Sequence, residues 1–256
     1  VLALLYAAAI FAPFLAPWPE SPDMWWTPSM LFNLRVNPLR SYAASGIVWY
    51  QGEGDTGGDT FAENVSGGDA FAAKFECLIG EWRKHFGSPD LPFLFVQLPS
   101  FGASTDWTKA RAAQERVARK LENTAMVCAI DTGDKYDIHP HDKIPIGKRL
   151  AAAADTIGKK IFPQVGGVGF DGSRATAQVE TPNKIECRGN WRGFEILTNG
   201  KWRAAKADFD GGEVKIESEN GGRIDGVRYL YKNWAKPDAC LFDQNGYPVP
   251  PFEILR

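Results

Sequence analysis

The sequence predicts an α/β protein: an incomplete, doubly wound parallel sheet in three layers, followed by a small antiparallel domain resembling a β-sandwich. Three uncharged apolar runs, each typical of a buried parallel strand, alternate with segments whose apolar residues recur at helical spacing. After about residue 163, Asn-Gly and Asp-Gly dipeptides separate short, partly alternating runs, as in antiparallel hairpins. Because open sheets bind ligands at the carboxyl ends of their strands, the loops there are the first candidates for chemistry.

The chain of 256 residues is long enough for two cores. We expect an apolar and irregular segment at 1–27, the later portion of a sheet domain at 28–162, and a β-rich domain at 163–256. The N-terminal segment lacks the basic region and cleavage site of a signal peptide, and prolines interrupt it before the roughly 20 apolar residues of a membrane span. We therefore expect no membrane span, and interpret this segment as the interior of a longer protein.

Composition excludes several classes of function. A net charge of −2, without a run of lysine and arginine, argues against a nucleic-acid partner. The four cysteines form no C-x-x-C pair and no cluster with histidine, so neither a zinc site nor a redox dithiol is indicated. Buried thiols and a disulfide remain as alternatives for them.

The first strand runs into a polar turn. Residues 46–55 read GIVWYQGEGD, an apolar run followed by a glycine-rich segment. A glutamine amide such as Gln51 can donate to a developing oxyanion, a carboxylate such as Glu53 can accept a proton, and a glycine such as Gly52 lets backbone N–H groups approach a ligand. The Gly/Asp repeats up to residue 68 match neither a calcium-binding nor a phosphate-binding loop, so a solvated loop is expected.

The next units repeat the order of strand and helix. Apolar spacing predicts a helix from Asp69 to about Phe86, before a buried strand within residues 91–98. Asp106 then caps a helix with an apolar stripe that includes the polar Gln114, one turn after Arg111. A buried amide needs a partner, and the sequence leaves open whether that partner is a substrate or the backbone of a nearby loop.

The third strand, at residues 125–130, ends in a loop holding two of the three histidines. His139 lies there before a helix predicted from about Asp142, and Asp137 precedes it by two residues. An imidazole oriented by a carboxylate can act as a general base. A metal site built from His139, His141 and aspartates, or a polar loop without chemistry, are the alternatives.

These residues resemble those of a known family. GIVWYQGEGD is similar to the GxxWYQGE block of the bacterial sialate O-acetylesterase family, a branch of the SGNH hydrolase superfamily with a flavodoxin-like sheet, related to carbohydrate acetylesterases. DTGDKYDIHPHDKIPIGKRLA resembles the later block, in which D-I-H-P precedes a lysine and a G-x-R-L-A helix. The W-x-x-x-R-x-A-Q segment lies between the two blocks, and residues 226–252 resemble the terminal β module. The likeness covers residues 28–256.

The resemblance implies an ester hydrolase that removes O-acetyl groups from sugars, such as sialic acids or plant polysaccharide residues, by a Ser-His-Asp mechanism without a cofactor. It implies that His139 is the base and that Asp137 orients it, with Asp134 as a competitor for that role. An exported protein, periplasmic or secreted, would suit polysaccharide deacetylation.

The resemblance also assigns the first block. Gln51 and Gly52 would contribute to the oxyanion hole, and Glu53 would support the loop or the histidine. We further expect three side chains to contact the acetylated sugar, namely Trp49, Arg111 and Gln114.

One block of the family, the G-x-S-N segment with the nucleophilic serine, is absent from this sequence. Ser45 and Ser100 stand at the wrong end of their elements or in the wrong block. We therefore expect this chain alone to be inactive, either as a piece of a longer esterase or as a carbohydrate-binding protein on a degenerate hydrolase fold. A metal-dependent hydrolase using His139 and His141 is a third hypothesis.

Overall fold

The computed structural model describes residues 32–56, 69–189, 191–210 and 212–256. The expectations for segment 1–27 and for the Gly/Asp repeats at 57–68 lie outside the described residues. Within the described ranges, no helix has the length and apolar character needed to cross a membrane.

The three predicted apolar runs form one parallel sheet. Its strands are β1 (Ile47–Trp49), β2 (Phe93–Val96) and β3 (Thr124–Val127), hydrogen-bonded in that order. All four residues of β2 are buried, because this central strand is covered on both faces. The parallel sheet predicted from the apolar runs is therefore confirmed.

Helices cover both faces of this sheet. On one face α1 (Asp69–His85) and α2 (Trp107–Lys120) enclose a core with Phe75, Phe93 and Phe95. On the other face, α3 (Ile144–Asp155) packs on residues of β2 and β3. This doubly wound, three-layer arrangement is the predicted one, and it leaves the loops at the carboxyl ends of the strands free for a site.

Helix ends follow local chemistry. The Asp106 carboxylate accepts the Thr108 N–H at 2.9 Å, which is the predicted cap of α2. Helix α3, predicted from about Asp142, begins at Ile144 and ends at Asp155, and a turn follows in which Gly158 has a positive φ. Short helical turns outside these helices are Phe32–Val36, Asn37–Leu39, Glu53–Asp55 and Lys236–Asp238.

Residues 164–256 are called the β module below, and the strand pairs among its described residues are all antiparallel. Its strands are β4 (Gln164–Asp171), β5 (Arg174–Glu180), β6 (Ile185–Cys187), β7 (Phe194–Thr198), β8 (Lys201–Ala204), β9 (Ala207–Asp210), β10 (Glu213–Glu217), β11 (Gly226–Tyr229), β12 (Leu241–Asp243) and β13 (Phe252–Leu255). Two four-stranded sheets, β4-β5-β10-β9 and β13-β11-β7-β8, bury their inner faces in one core. The predicted β-rich region after the parallel sheet is confirmed.

The core of the β module extends into the sheet region. Cys128 and Ile130, which follow β3, pack in the same cluster as Val165, Ile196 and Phe252. The expected boundary near residue 162 separates parallel from antiparallel strands, and Cys128 and Ile130 are the residues before it that pack in the core of the β module. The division into domains at that point stays a prediction.

Tyr229 stabilises the segment of the β module that approaches the carboxyl edge of the parallel sheet. Its side chain is fully buried, and its hydroxyl accepts the backbone N–H groups of Cys240 and Leu241, each at 3.0 Å. These bonds join the two ends of the segment 230–239, and this segment contacts the loops described below.

We predict that Tyr229→Phe lowers the free energy of unfolding by about 2–4 kcal/mol, because two buried N–H groups lose their acceptor. Urea denaturation followed by tryptophan fluorescence measures this as a lower midpoint at an unchanged slope. The control is Tyr42→Phe, which removes the same atom from a side chain that is 60% exposed. A Tyr229→Phe midpoint equal to that of the control would show that the two bonds contribute no net stability.

Candidate active site

Three loops leave the carboxyl edge of the parallel sheet and are joined through the middle one. The loop after β2 binds the loop after β1, since the hydroxyl oxygens of Thr56 and Thr105 lie 2.8 Å apart. It also binds the loop after β3, because the Gly102 N–H donates to the Lys135 carbonyl at 3.1 Å. The candidate residues around Gln51 and His139 therefore belong to one hydrogen-bonded layer.

Gly52 holds the β1 loop against the core. It is buried, with φ at +148°, in the region that side chains rarely adopt. A Cβ there would lie 3.4 Å from the Gln114 amide nitrogen and 3.5 Å from a Leu98 methyl group. These distances are ordinary van der Waals contacts, so it is the backbone conformation that favours glycine at this position. Next to it the exposed Gln51 amide donates to Asp55 at 2.8 Å and retains a second N–H.

Glu53 begins a single helical turn beside Gly52. Its carbonyl accepts the Thr56 hydroxyl at 2.8 Å, which fixes the turn. Burial, followed by the negative charge of Glu53, raises the pKa of Tyr50 well above its usual range. Tyr50 is therefore a neutral phenol at physiological pH, and the Glu53 carboxylate lies close enough to influence it.

Asp137 lies between the two histidines of the β3 loop. One carboxylate oxygen accepts the His139 backbone N–H at 2.8 Å and lies 3.7 Å from His139 Nδ1. The other lies 3.5 Å from His141 Nε2. The His139 side chain is 85% exposed, so its ring is accessible from solvent.

Asp134 shapes the backbone of the same loop. Its carboxylate accepts the N–H groups of Tyr136 at 2.7 Å and Asp137 at 3.2 Å. The Tyr136 N–H is the main reason that the pKa of Asp134 is lowered, because this hydrogen bond favours the ionised form. The Asp134 carboxylate thus accepts hydrogen bonds from the loop backbone, whereas the Asp137 carboxylate interacts with His139 and His141.

Neighbouring segments fix the β3 loop in place. A Cβ on Gly133, whose φ is +96°, would lie 2.0 Å from the Ser100 carbonyl, so only glycine permits this approach. The Lys236 ammonium of the β module donates to the Gly133 carbonyl at 2.9 Å. The Lys143 ammonium donates to the Pro140 carbonyl at 2.6 Å. This last bond gives a physical reason for the lysine that follows D-I-H-P in the sequence.

Arg111 is almost fully buried, with 1% of its surface exposed. Its guanidinium donates to the carbonyls of Leu98 and Pro99 and, in the β module, of Lys232 and Asn233, at 2.6–3.0 Å. Burial lowers the pKa of Arg111 to about 10, so it is still charged at neutral pH. The Arg111 guanidinium thus joins the β2 loop to the β module, and the acceptors of these four bonds are all backbone carbonyls.

Gln114 and Trp49 also point into the protein. The Gln114 amide accepts the Leu98 N–H at 2.9 Å and donates to the Val96 carbonyl at 3.3 Å. Trp49 packs edge-on against Trp82, with ring centres 5.6 Å apart. Sugar contacts expected for Trp49, Arg111 and Gln114 stay predictions, and the structure supplies each with protein partners.

Two contributors were not singled out from the sequence. The Asn233 side chain accepts the Trp107 N–H and donates to the carbonyls of Ala103 and Thr105, at 2.7–2.9 Å. Arg149 forms two 2.7 Å bonds with the Asp131 carboxylate. The arginine of the G-x-R-L-A block was a usable signal for the second, whereas nothing local in sequence marks Asn233.

The free thiols and the histidines form no larger cluster in the part of the chain that the structure describes. Cys77, Cys128, Cys187 and Cys240 are all unpaired there. Across the same residues, no group of three or more His, Cys, Asp or Glu side chains is placed to hold a metal ion.

Comparison with known protein families places this chain in a family of carbohydrate esterases. Residues 21–156 match the family model described as carbohydrate esterase, sialic acid-specific acetylesterase. Because this match spans more than half of the sequence, the chain belongs to that family, as the sequence motifs predicted.

Named relatives agree with this assignment. The sialate O-acetylesterase of Rattus norvegicus is 27% identical over 88% of this chain, and that of Homo sapiens is 32% identical over 49% of it. A carbohydrate acetylesterase from Xanthomonas citri has a crystal structure that matches 99% of this chain at a TM-score of 0.81 and 26% identity. The chain spans 47% of the rat protein and 64% of the Xanthomonas chain.

We predict that Arg111→Leu lowers the free energy of unfolding by about 2–4 kcal/mol, because four carbonyls lose their donor in a region with little access to water. Thermal and urea denaturation measure the loss. Arg116→Leu is the matched control, since Arg116 lies on the same helix in an exposed ion pair with Asp69 and should contribute less than about 1 kcal/mol. Equal effects of both substitutions would contradict the role of Arg111.

We also predict that the β3 loop loosens in acid through Asp134. A carboxylate whose pKa is lowered by folding stabilises the folded loop above its unfolded pKa of about 3.9, and this contribution is lost as pH falls through the folded value. Hydrogen exchange at the Tyr136 and Asp137 amides, normalised to intrinsic rates, should lose protection below about pH 4. In Asp134→Asn that step should be absent; its persistence would assign the effect to another group.

Proposed function

We propose that this chain is part of a carbohydrate O-acetylesterase that removes acetyl groups from sugar hydroxyls, using His139 as general base. The observation that carries the proposal is the position of Asp137 against an accessible His139 ring, on the same carboxyl edge as the Gln51 loop. Membership of the acetylesterase family supports this substrate class. The names of the rat and Xanthomonas relatives agree with it.

The base acts on a hydroxyl nucleophile. His139 takes the proton as the hydroxyl oxygen attacks the acetyl carbon, and gives it to the sugar oxygen as the ester C–O bond breaks. A water molecule, deprotonated by the same histidine, then attacks the acetyl-enzyme; acetate leaves and the nucleophile regains its proton. Asp137 stabilises the imidazolium by its charge, because its carboxylate lies 3.7 Å from Nδ1, and it fixes the loop by accepting the His139 backbone N–H at 2.8 Å. We assign this role to Asp137 and a loop-shaping role to Asp134, whose bonds go to backbone amides.

The Gln51 loop stabilises the tetrahedral oxyanion. The second amide N–H of Gln51 and the backbone beside Gly52 are the proposed donors, each contributing about 3 kcal/mol in the transition state. The side chains of Gln114 and Leu98 pack against Gly52, so we assign to Gln114 the role of positioning this loop. Glu53 closes the turn that follows.

We propose that the nucleophilic serine lies outside this sequence. Ser100 is fully buried, donates to the Ile130 carbonyl at 2.8 Å and accepts the Ala235 N–H at 3.2 Å, so it has a structural role. Ser45 precedes β1 and therefore lies toward the opposite edge of the sheet. Among the described strands β1 pairs only with β2, so none of them lies on its outer edge, and we place there a further strand carrying the family's G-x-S-N block.

We predict that the chain extended upstream to include a G-x-S-N block cleaves p-nitrophenyl acetate, and that His139→Ala lowers its kcat/KM about 10³- to 10⁴-fold. The 256-residue chain alone should show only residual hydrolysis. Initial rates at neutral pH, recorded from p-nitrophenol release, measure both.

The matched control is His141→Ala, which removes the neighbouring imidazole and should change kcat/KM only a few-fold. An equal loss in both histidine variants, abolished activity with a chelator, and recovery by added metal would favour the metal-dependent hydrolase. Sugar binding without turnover in the extended chain would favour the carbohydrate-binding protein.

A further inference from the structure

Two of the four free thiols lie on neighbouring strands of the β module. Cys187 ends β6 and Cys240 directly precedes β12, and these strands pair with Cys187 opposite Leu241. The Arg188 N–H donates to the Cys240 carbonyl at 2.7 Å, so the pairing continues one step further. The two cysteines are therefore diagonal neighbours, with Cα atoms roughly 6 Å apart from the spacing and rise of antiparallel strands. A disulfide spans about 4.4–6.8 Å between Cα atoms, so this separation suits one.

The backbone at Cys240 turns its side chain to the same side as that of Leu241. In an extended strand successive N–H groups point in opposite directions, but those of Cys240 and Leu241 both donate to the Tyr229 hydroxyl at 3.0 Å. Both side chains are accordingly buried in the core of the β module, and Cys187 packs against the same core. The alternation that separates diagonal neighbours in a regular ladder is therefore broken at this point.

The two sulfur atoms are near neighbours in the structure. The Cys187 thiol donates to the Gly189 carbonyl at 3.7 Å and the Cys240 thiol to the Arg192 carbonyl at 3.5 Å, so both contact the loop between β6 and β7. Burial raises the pKa of the Cys187 thiol to about 11, and Cys240 adds to this through its charge and a side-chain hydrogen bond. The two thiols thus act on each other directly.

We propose that Cys187 and Cys240 form a disulfide by thiol–disulfide exchange with an external disulfide. The thiolate of Cys187, the more exposed of the two, attacks one sulfur of the external disulfide, and the other sulfur leaves as a thiolate. The Cys240 thiolate then attacks Cys187 Sγ, and the second external thiolate leaves. The protons of the two protein thiols pass to the two released thiolates, so the external disulfide is reduced as the cysteine pair is oxidised. No residue of the candidate active site takes part, so this inference is independent of the proposed function.

The disulfide has a structural role. It closes a loop of about 50 residues and so lowers the conformational entropy of the unfolded chain. It also fixes Cys240 at the end of the segment 230–239, in which Asn233 binds the β2 loop. The raised pKa of Cys187 leaves few molecules with a thiolate at neutral pH, so the exchange is slow and the bond does not act as a rapid switch.

Peptide mapping after oxidation tests the pair. The reduced chain is incubated with excess oxidised glutathione, and the remaining thiols are then labelled with N-ethylmaleimide in guanidinium chloride and mapped by mass spectrometry. We expect the Cys187 and Cys240 peptides to be joined and the buried Cys128 to carry the label. Dithiothreitol should separate the joined peptides. The oxidised chain should melt roughly 5–15 °C above the reduced chain.

Matched cysteine variants assign the crosslink. Cys187→Ser and Cys240→Ala should each lack the joined peptides and the oxidant-dependent rise in Tm. Cys77→Ser is the control, because it removes an exposed thiol from α1 and should leave both readouts unchanged. If Cys240→Ala fails to fold, the partly exposed Cys187→Ser still decides the question.

Three results overturn the proposal. The first is labelling of both Cys187 and Cys240 after prolonged oxidation. The second is a glutathione adduct that persists on Cys187 without transfer to Cys240. The third is an equal oxidant-dependent rise in Tm in Cys187→Ser and in the unmodified sequence.

Discussion

The buried guanidinium of Arg111 is the constraint on which the geometry of this protein depends. A desolvated positive charge without a carboxylate partner must be compensated by dipoles, and here four backbone carbonyls supply them. Two of these carbonyls follow β2 and two belong to the β module. The charge can therefore stay buried only while both parts keep their positions, so it fixes the relation between the sheet and the module.

The loops at the carboxyl edge of the parallel sheet are connected to this junction at Arg111. Asn233 adds side-chain bonds to the β2 loop, and the β2 loop in turn binds the loops that carry Gln51 and His139. Gln51 and His139 are exposed, while three side chains that hold the loops beneath them, Ser100, Arg111 and Gln114, are buried. This division is common in enzymes, because reacting groups must meet substrate whereas their supports must exclude alternatives.

The sequence predicted the parallel strands and the helices because continuous apolar runs and helical spacing report burial directly. It also indicated the two candidate loops, through the residues around Gln51 and His139. It could not show that Arg111 and Gln114 face backbone carbonyls, since a polar residue in an apolar stripe has the same pattern whatever its partner. Asn233 escaped prediction because its partners lie more than 120 residues away.

Ile130 and Phe252 belong to one hydrophobic core, which affects when this region can fold during synthesis. Ile130 directly precedes the loop of the proposed base, and its packing partners come from strands synthesised much later. A ribosome must therefore extend the chain through β13 before the region below His139 can reach its final packing.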